Sequence, residues 1–340
     1  MILNIYTIIM IFISIVSLVL GIALLVMTVR AIAGSDMLKT SEKTSHEKIG
    51  YLIFLLACVV LSIRMLAWPR FYMMLQSLVM EVPGAMCMFG VTQIMPSAVK
   101  VLQLIKPISF FVMGGWLLCY FVNKNLATAP LTRRIFVFLI PISGILLIDS
   151  AADIYYVLYM KPLMSVSCCT IVFDLPYRAS AMIPEAIFGA DFAKPLLLLF
   201  YLINIVLLAL LFVSLFKKRT SSSLFSTKAV GYGRLIAAVI NVPVVYVAFR
   251  EIIAPRLMQL PLHHCIYCFI GNGTVPDAPI MLALFVIGSF AVGWMFIIRI
   301  ICGKTDAEPV SGKLLSKVNH VSLFCMLSFV IMVTIHLSLL

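Results

Sequence analysis

The sequence predicts an all-α fold, a polytopic transmembrane helical bundle of about eight spans with both termini outside and short interfacial helices in the outer loops. Three observations predict it. Of 340 residues, 63% are apolar and only 11% charged, and the mean hydropathy of +1.15 exceeds what a soluble core could absorb. Apolar runs of roughly 20 residues, the length that crosses a hydrocarbon layer, recur along the chain. The basic residues gather in alternate connections between those runs. Spans of one bundle share a packing interior, so a single integral membrane domain over 1–340 is expected.

Taken in order, the expected spans are 4–30, 50–68, 101–122, 133–160, 195–216, 230–252, 279–301 and 319–338. The first resembles a signal peptide only at Ala31-Ile32-Ala33. No basic residue precedes Arg30 and the apolar run is too long, so the segment is expected to be retained. Residues 71–80 and 181–190 are apolar but too short to cross, which predicts interfacial or re-entrant helices there.

Orientation follows from the charges. The first, third, fifth and seventh connections, with their helix ends, carry Arg30, Lys39, Lys43 and Lys48; Lys124, Arg133 and Arg134; Lys217, Lys218, Arg219, Lys228 and Arg234; and Arg299, Lys304, Lys313 and Lys317. Together these are 16 of the 25 basic residues, so the odd connections are expected to be cytoplasmic. The expected location is the bacterial cytoplasmic (inner) membrane, with the cysteine-bearing loops on its extracytoplasmic side. The net charge of +12 is scattered between apolar stretches rather than gathered in a patch, which argues against nucleic acid as a partner. The cytoplasmic loops are short, and no Walker A loop, G-x-S-x-G or H-E-x-x-H occurs. An ATPase, an α/β-hydrolase and a zincin are thereby disfavoured.

The cysteines divide by location. Cys58, Cys119, Cys302 and Cys325 fall in or at the ends of expected helices and read as small apolar core residues. The other five of nine, Cys87, Cys168, Cys169, Cys265 and Cys268, fall in the three outer connections. His263 and His264 directly precede the C-x-x-C of Cys265 and Cys268. Two sulfurs three residues apart can close a reactive disulfide or chelate a soft metal, and an adjacent imidazole can lower a thiol pKa or act as a ligand. The candidate metal ligands are therefore His263, His264, Cys265, Cys268, Cys87, Cys168 and Cys169. For thiol exchange, Cys265 and Cys268 would be the catalytic pair, with Cys87, Cys168 or Cys169 relaying electrons.

Cys168 and Cys169 are neighbours, too close along the chain to pair with each other. A bland reading staples the loops with two ordinary disulfides. Gly271-Asn272-Gly273 reads as a tight turn. Phe269 follows Cys268, so the C-x-x-C-H signature of covalent haem is absent. Seven of the 20 methionines, Met65, Met73, Met74, Met80, Met86, Met88 and Met95, share one stretch. With thiolate and imidazole they form the ligand set that suits copper(I), although methionine more often fills gaps in apolar packing.

Charges inside spans prompt a functional question. Asp149 and Asp153 share one face of the fourth helix near its outer end, where a wet vestibule is one reading. The other is emergence from lipid through an aromatic belt of Tyr155, Tyr156 and Tyr159. Arg64, Lys106 and the pair Arg250-Glu251 lie on outer helix halves, where they could balance Asp149 and Asp153 or bind an anionic headgroup or quinone, and where snorkelling to the interface is expected ahead of either. His320 and His336 bracket the last helix, and haem b would need further ligands from a partner subunit.

The leading expectation is an extracytoplasmic Cys/His centre for thiol-disulfide redox exchange or handling of copper or another soft metal, exchanging with an extracytoplasmic redox or metal-carrier protein. The alternative is a permease or a structural subunit of a larger membrane complex whose outer cysteines only form disulfides. In its C-x-x-C beside a span, and over those few residues only, the chain resembles membrane thiol oxidoreductases of the disulfide-bond-forming type, which have fewer helices. That resemblance implies a redox role for Cys265 and Cys268.

Overall fold

The computed structural model describes residues 4–35, 43–126, 131–161, 166, 169–175, 178–216, 227–271, 273, 275–302 and 308–339. Among these, every regular element is helical. Eight helices are long and apolar enough to cross a membrane: Ile5–Ala33, Lys48–Glu81, Pro96–Lys124, Thr132–Tyr159, Ala193–Leu215, Ala229–Leu257, Ala278–Ile301 and Gly312–Ser338. They are spans 1 to 8 below, and each overlaps the segment expected from the apolar runs. Helices are the natural outcome, because backbone groups in hydrocarbon must hydrogen-bond within their own segment.

The ends of the helices follow local chemistry. Asn4 caps span 1, its side-chain oxygen accepting from the amides of Tyr6 at 3.0 Å and Thr7 at 2.9 Å. Pro96 opens span 3, where its missing N–H costs nothing. Residues 71–80 fall in a short helix of their own, Ala67–Ser77, and in the turn after it. The helix Ala67–Ser77 follows directly on Lys43–Met65, with a 3-10 turn at Val79–Glu81, so the stretch extends span 2. The second short stretch forms its own helix, Ala179–Phe188.

The helices group into two compact units. The first comprises Met1–Val166 with Ile300–Ser311, and the second Ser167–Arg299 with Gly312–Leu340. The first therefore holds spans 1 to 4 and the second spans 5 to 8.

In the first unit, span 1 packs along span 4, and span 4 along span 3. Gly21 permits the close approach of spans 1 and 4, since a Cβ there would lie 2.4 Å from Leu146 Cδ2. At the centre of this unit sit four buried charges. Arg64 donates through Nε to Asp149 Oδ2 at 2.7 Å and through Nη2 to Asp153 Oδ2. Lys106 Nζ donates to Asp149 Oδ1 at 3.2 Å and lies 2.8 Å from Asp153 Oδ1. Ser14 of span 1 accepts from Arg64 Nη1 at 3.2 Å, and Lys106 stands 5.3 Å from the ring centre of Phe71.

All four charged residues are at most 2% exposed, which corrects the expected snorkelling of Arg64 and Lys106. Two cations balance two carboxylates within one set of hydrogen bonds, so neither cation needs to reach water. The aromatic belt is likewise narrower than expected. Tyr155 and Tyr159 are exposed, but Tyr156 is turned fully inward against Phe71.

In the second unit, spans 5 and 6 pack together and join through an amide pair, Asn241 Nδ2 donating to Asn204 Oδ1 at 3.1 Å. Span 6 widens into a π-helical turn at Phe249–Ile253, just before Pro255. The proline ring would collide with the carbonyl of residue 251 in a regular helix, and the wider turn relieves this. His336 in span 8 pairs with Asp277 at 2.7 Å, and His320 Nδ1 lies 2.7 Å from the Ser316 carbonyl.

Removing one member of the buried quartet strands a charge. Arg64→Met is expected to lower the unfolding free energy in detergent by about 3–5 kcal/mol. Lys106→Met combined with Asp149→Asn should cost less than the sum of the two single changes, because the surviving pair is neutral. Denaturant unfolding of the four variants checks this, and strict additivity would contradict the coupling.

Candidate metal and thiol centre

The second unit carries the sulfur-rich site, and two short turns build it. Gln259, with φ at +57°, reverses the chain after span 6, and the amide of His263 donates to the Leu260 carbonyl at 2.9 Å. The helix Ile266–Gly271 then starts at Cys265, whose carbonyl accepts from the Phe269 amide at 3.2 Å. Phe269 is fully buried against Phe249 of the π-helical turn, ring centres 5.8 Å apart, which fastens this helix to span 6. Cys265 and Cys268, three residues apart at the start of one helix, thus lie on one side of it. The second turn is the helix Thr170–Phe173, opened by Cys169 and followed by Asp174.

These turns bring three sulfurs together. The Sγ atoms of Cys169, Cys265 and Cys268 all lie within 4.8 Å of one another. Cys169 and Cys268 stand 3.5 Å apart, a thiol hydrogen-bond distance well beyond the ~2.05 Å of a disulfide. Cys265 is wholly buried and Cys169 is 4% exposed, whereas Cys268 is partly open.

An imidazole stands beside one of these sulfurs. His263 Nε2 lies 3.9 Å from Cys169 Sγ, and its Nδ1 lies 2.7 Å from Asp174 Oδ1. With the proton on Nδ1 donated to that carboxylate, Nε2 presents its lone pair on the sulfur side. Cys169, His263 and Asp174 therefore form a sulfur–imidazole–carboxylate relay, which fits both a metal ligand oriented by an outer carboxylate and a thiol activated by an oriented base.

His264 has a different engagement. Its Nδ1 lies 3.1 Å from the Arg250 carbonyl and 3.6 Å from Glu251 Oε2. Burial, then the neighbouring Arg178 guanidinium, hold its pKa below the ordinary value, which keeps the ring neutral at pH 7. Glu251 is buried and accepts from Arg178 Nη2 at 2.8 Å, so its partner is not the adjacent Arg250. Arg250 instead stacks over Phe173, 4.9 Å from the ring centre. Snorkelling thus fails for Glu251 as well, since the carboxylate is turned inward by the π-helical turn and paired there.

No family model, no curated protein and no solved structure matches this chain. The centre must be read from its own chemistry.

Of the residues expected from the sequence, Cys169, Cys265 and Cys268 are close together, and His263 stands beside Cys169. Cys87 belongs to the first unit, where it precedes the helix Met88–Thr92 and is 9% exposed. Asp149 and Asp153 belong to the ion-pair quartet of that unit. Cys168 lies outside the described residues, as do Asn272 and the side chain of Cys302. Cys119 and Cys325 are buried and Cys58 half-buried within their spans, as apolar packing requires. The methionine stretch divides between packing and surface: Met74 and Met88 are in the core, while Met73, Met80 and Met86 are exposed.

Two participants were missed from the sequence. Asp174 and Arg178 sit among ordinary loop residues, and the one available signal was a carboxylate five residues after an outer cysteine.

The burial pattern orders the thiols. Under brief alkylation of the reduced, metal-stripped protein, Cys268 should react before Cys169, and Cys169 before Cys265. Mass-spectrometric mapping of the label checks this, and early labelling of Cys265 would contradict the geometry.

Proposed function

We propose that this membrane protein holds a soft metal ion in an extracytoplasmic thiolate centre and serves in metal handling. The observation that carries the reading is the spacing of Cys169, Cys265 and Cys268, whose sulfurs all lie within 4.8 Å of one another. Four ligands at about 2.3 Å around a tetrahedral ion leave sulfurs about 3.8 Å apart, so three corners are close to formed. His263 can supply the fourth ligand through Nε2, with Asp174 fixing its tautomer. Thiolate with imidazole favours zinc or copper(I) over hard cations. Burial of Cys169 and Cys265 suits a held ion better than exchange with a partner's thiol. The sidedness rests on the basic residues of the alternate connections.

One observation favours a second reading, thiol-disulfide exchange. Cys169 and Cys268 are 3.5 Å apart, with His263 beside the first and the second partly open. Closing that disulfide would release two electrons and two protons to an extracytoplasmic disulfide acceptor, which becomes a dithiol.

Elemental analysis of protein purified without chelator separates the readings. The metal reading expects about one zinc or copper per chain, lost in Cys265→Ser and Cys268→Ser. Asp174→Asn should weaken metal affinity by about 10- to 100-fold while leaving the sulfurs in place. A chain that retains and binds neither metal, yet cycles a Cys169–Cys268 disulfide, would replace the metal reading with the redox one.

A further inference from the structure

The sulfurs of the second unit lie close enough to do more than hold an ion. Cys169 and Cys268 come from two different turns, 99 residues apart in the chain, and their Sγ atoms stand 3.5 Å from each other. A disulfide of about 2.05 Å needs them to approach by only about 1.5 Å, which rotation of the side chains can supply. Access differs among the three sulfurs. Cys268 is partly open, Cys169 is 4% exposed and Cys265 is wholly buried. A small disulfide arriving from outside the protein therefore meets Cys268 first, and Cys169 is placed to complete the exchange.

Metal binding needs thiolates, and a tetrahedral soft-metal site takes about four ligands. Joining Cys169 to Cys268 would turn two of the three thiolates into neutral disulfide sulfurs, which are poor ligands for zinc. Cys265 would remain, with His263, whose Nε2 lies 3.9 Å from Cys169 Sγ. Two ligands leave half of the coordination sphere to water, so the ion would be lost.

Resting on the metal reading, we infer that the Cys169–Cys268 pair is the release switch of the centre, opened by a small-molecule disulfide and reset by a small thiol. The Cys268 thiolate attacks one sulfur of the small disulfide, forms a mixed disulfide and expels the first small thiolate. The Cys169 thiolate then attacks the Cys268 sulfur and expels the second. The protein pair loses two electrons, the small disulfide gains them as two thiolates, and zinc departs as the divalent ion it was when bound. Two molecules of small thiol reverse these steps and restore both ligands.

The test uses the full-length protein in neutral detergent under nitrogen, loaded with zinc and then treated with oxidised glutathione. A chromogenic chelator reads zinc release, and mass spectrometry after alkylation maps the cysteines. About one zinc should appear for every two thiols lost, the new disulfide should join Cys169 to Cys268, and dithiothreitol should restore zinc uptake. Without glutathione the zinc should stay bound. In Cys169→Ser the first glutathione adduct should map to Cys268; if that variant does not fold, the mapping of the unsubstituted protein decides alone. Zinc that stays bound as the thiols are lost, zinc lost without oxidation, a first adduct on Cys265, or a disulfide joining Cys265 to Cys268 overturns the inference and leaves the metal reading standing. Failure to take up zinc also overturns the inference, and the metal reading falls with it only if elemental analysis finds no copper either.

Discussion

Hydrocarbon offers no hydrogen bonds, and the rest of this protein's organisation depends on that constraint. Each backbone group must be satisfied within its own helix, and each polar side chain must find a partner inside the protein or at its edge. The first unit meets the demand with a closed set: Arg64 and Lys106 against Asp149 and Asp153, buried together on spans 2, 3 and 4 and joined by Ser14 of span 1. Because the four charges cancel, the quartet can sit among apolar side chains and tie four helices at one depth. In the second unit, amide pairs and a carbonyl-bonded serine play a comparable part: Asn204 with Asn241, and Ser322 with the Gly288 carbonyl.

The same constraint explains where chemistry can be placed. A thiol tolerates an apolar surrounding better than a carboxylate does, so Cys169, Cys265 and Cys268 can be gathered at the end of a helix bundle with little water around them. The carboxylates nearby have partners. Asp174 is hydrogen-bonded to His263, and Glu251 is paired with Arg178. The π-helical turn at Phe249–Ile253 links the two arrangements, since it turns Glu251 inward and gives Phe269 a surface on which the C-x-x-C helix rests. Arg234 differs: its guanidinium donates to the neutral side chains of Asn319 and Ser214.

Legibility from sequence differed by interaction range. The spans were visible because lipid solvation acts on every residue in a window and leaves a run of about 20 apolar positions. The C-x-x-C with its two histidines was visible because its members are adjacent. The fate of Arg64 was not, because its partners are 85 and 89 residues away, and a basic residue on an outer helix half reads first as one that snorkels. Residues 71–80 lie in a short helix as expected, and what their length did not show is that this helix follows directly on Lys43–Met65.

By itself the sequence determined that the fold is all-α, that about eight segments are long and apolar enough to cross a membrane, and that five of the nine cysteines fall between those segments. These properties depend on composition and on nearest neighbours, which the order of residues states directly. Only the tertiary structure decided which sulfurs meet, that Asp174 orients His263, that Arg64 and Lys106 turn inward, and that Arg234 lacks a carboxylate among the described residues. Each of those outcomes is a contact between groups far apart in the chain, set by how helices rotate about their axes as they pack, and no local pattern records that rotation.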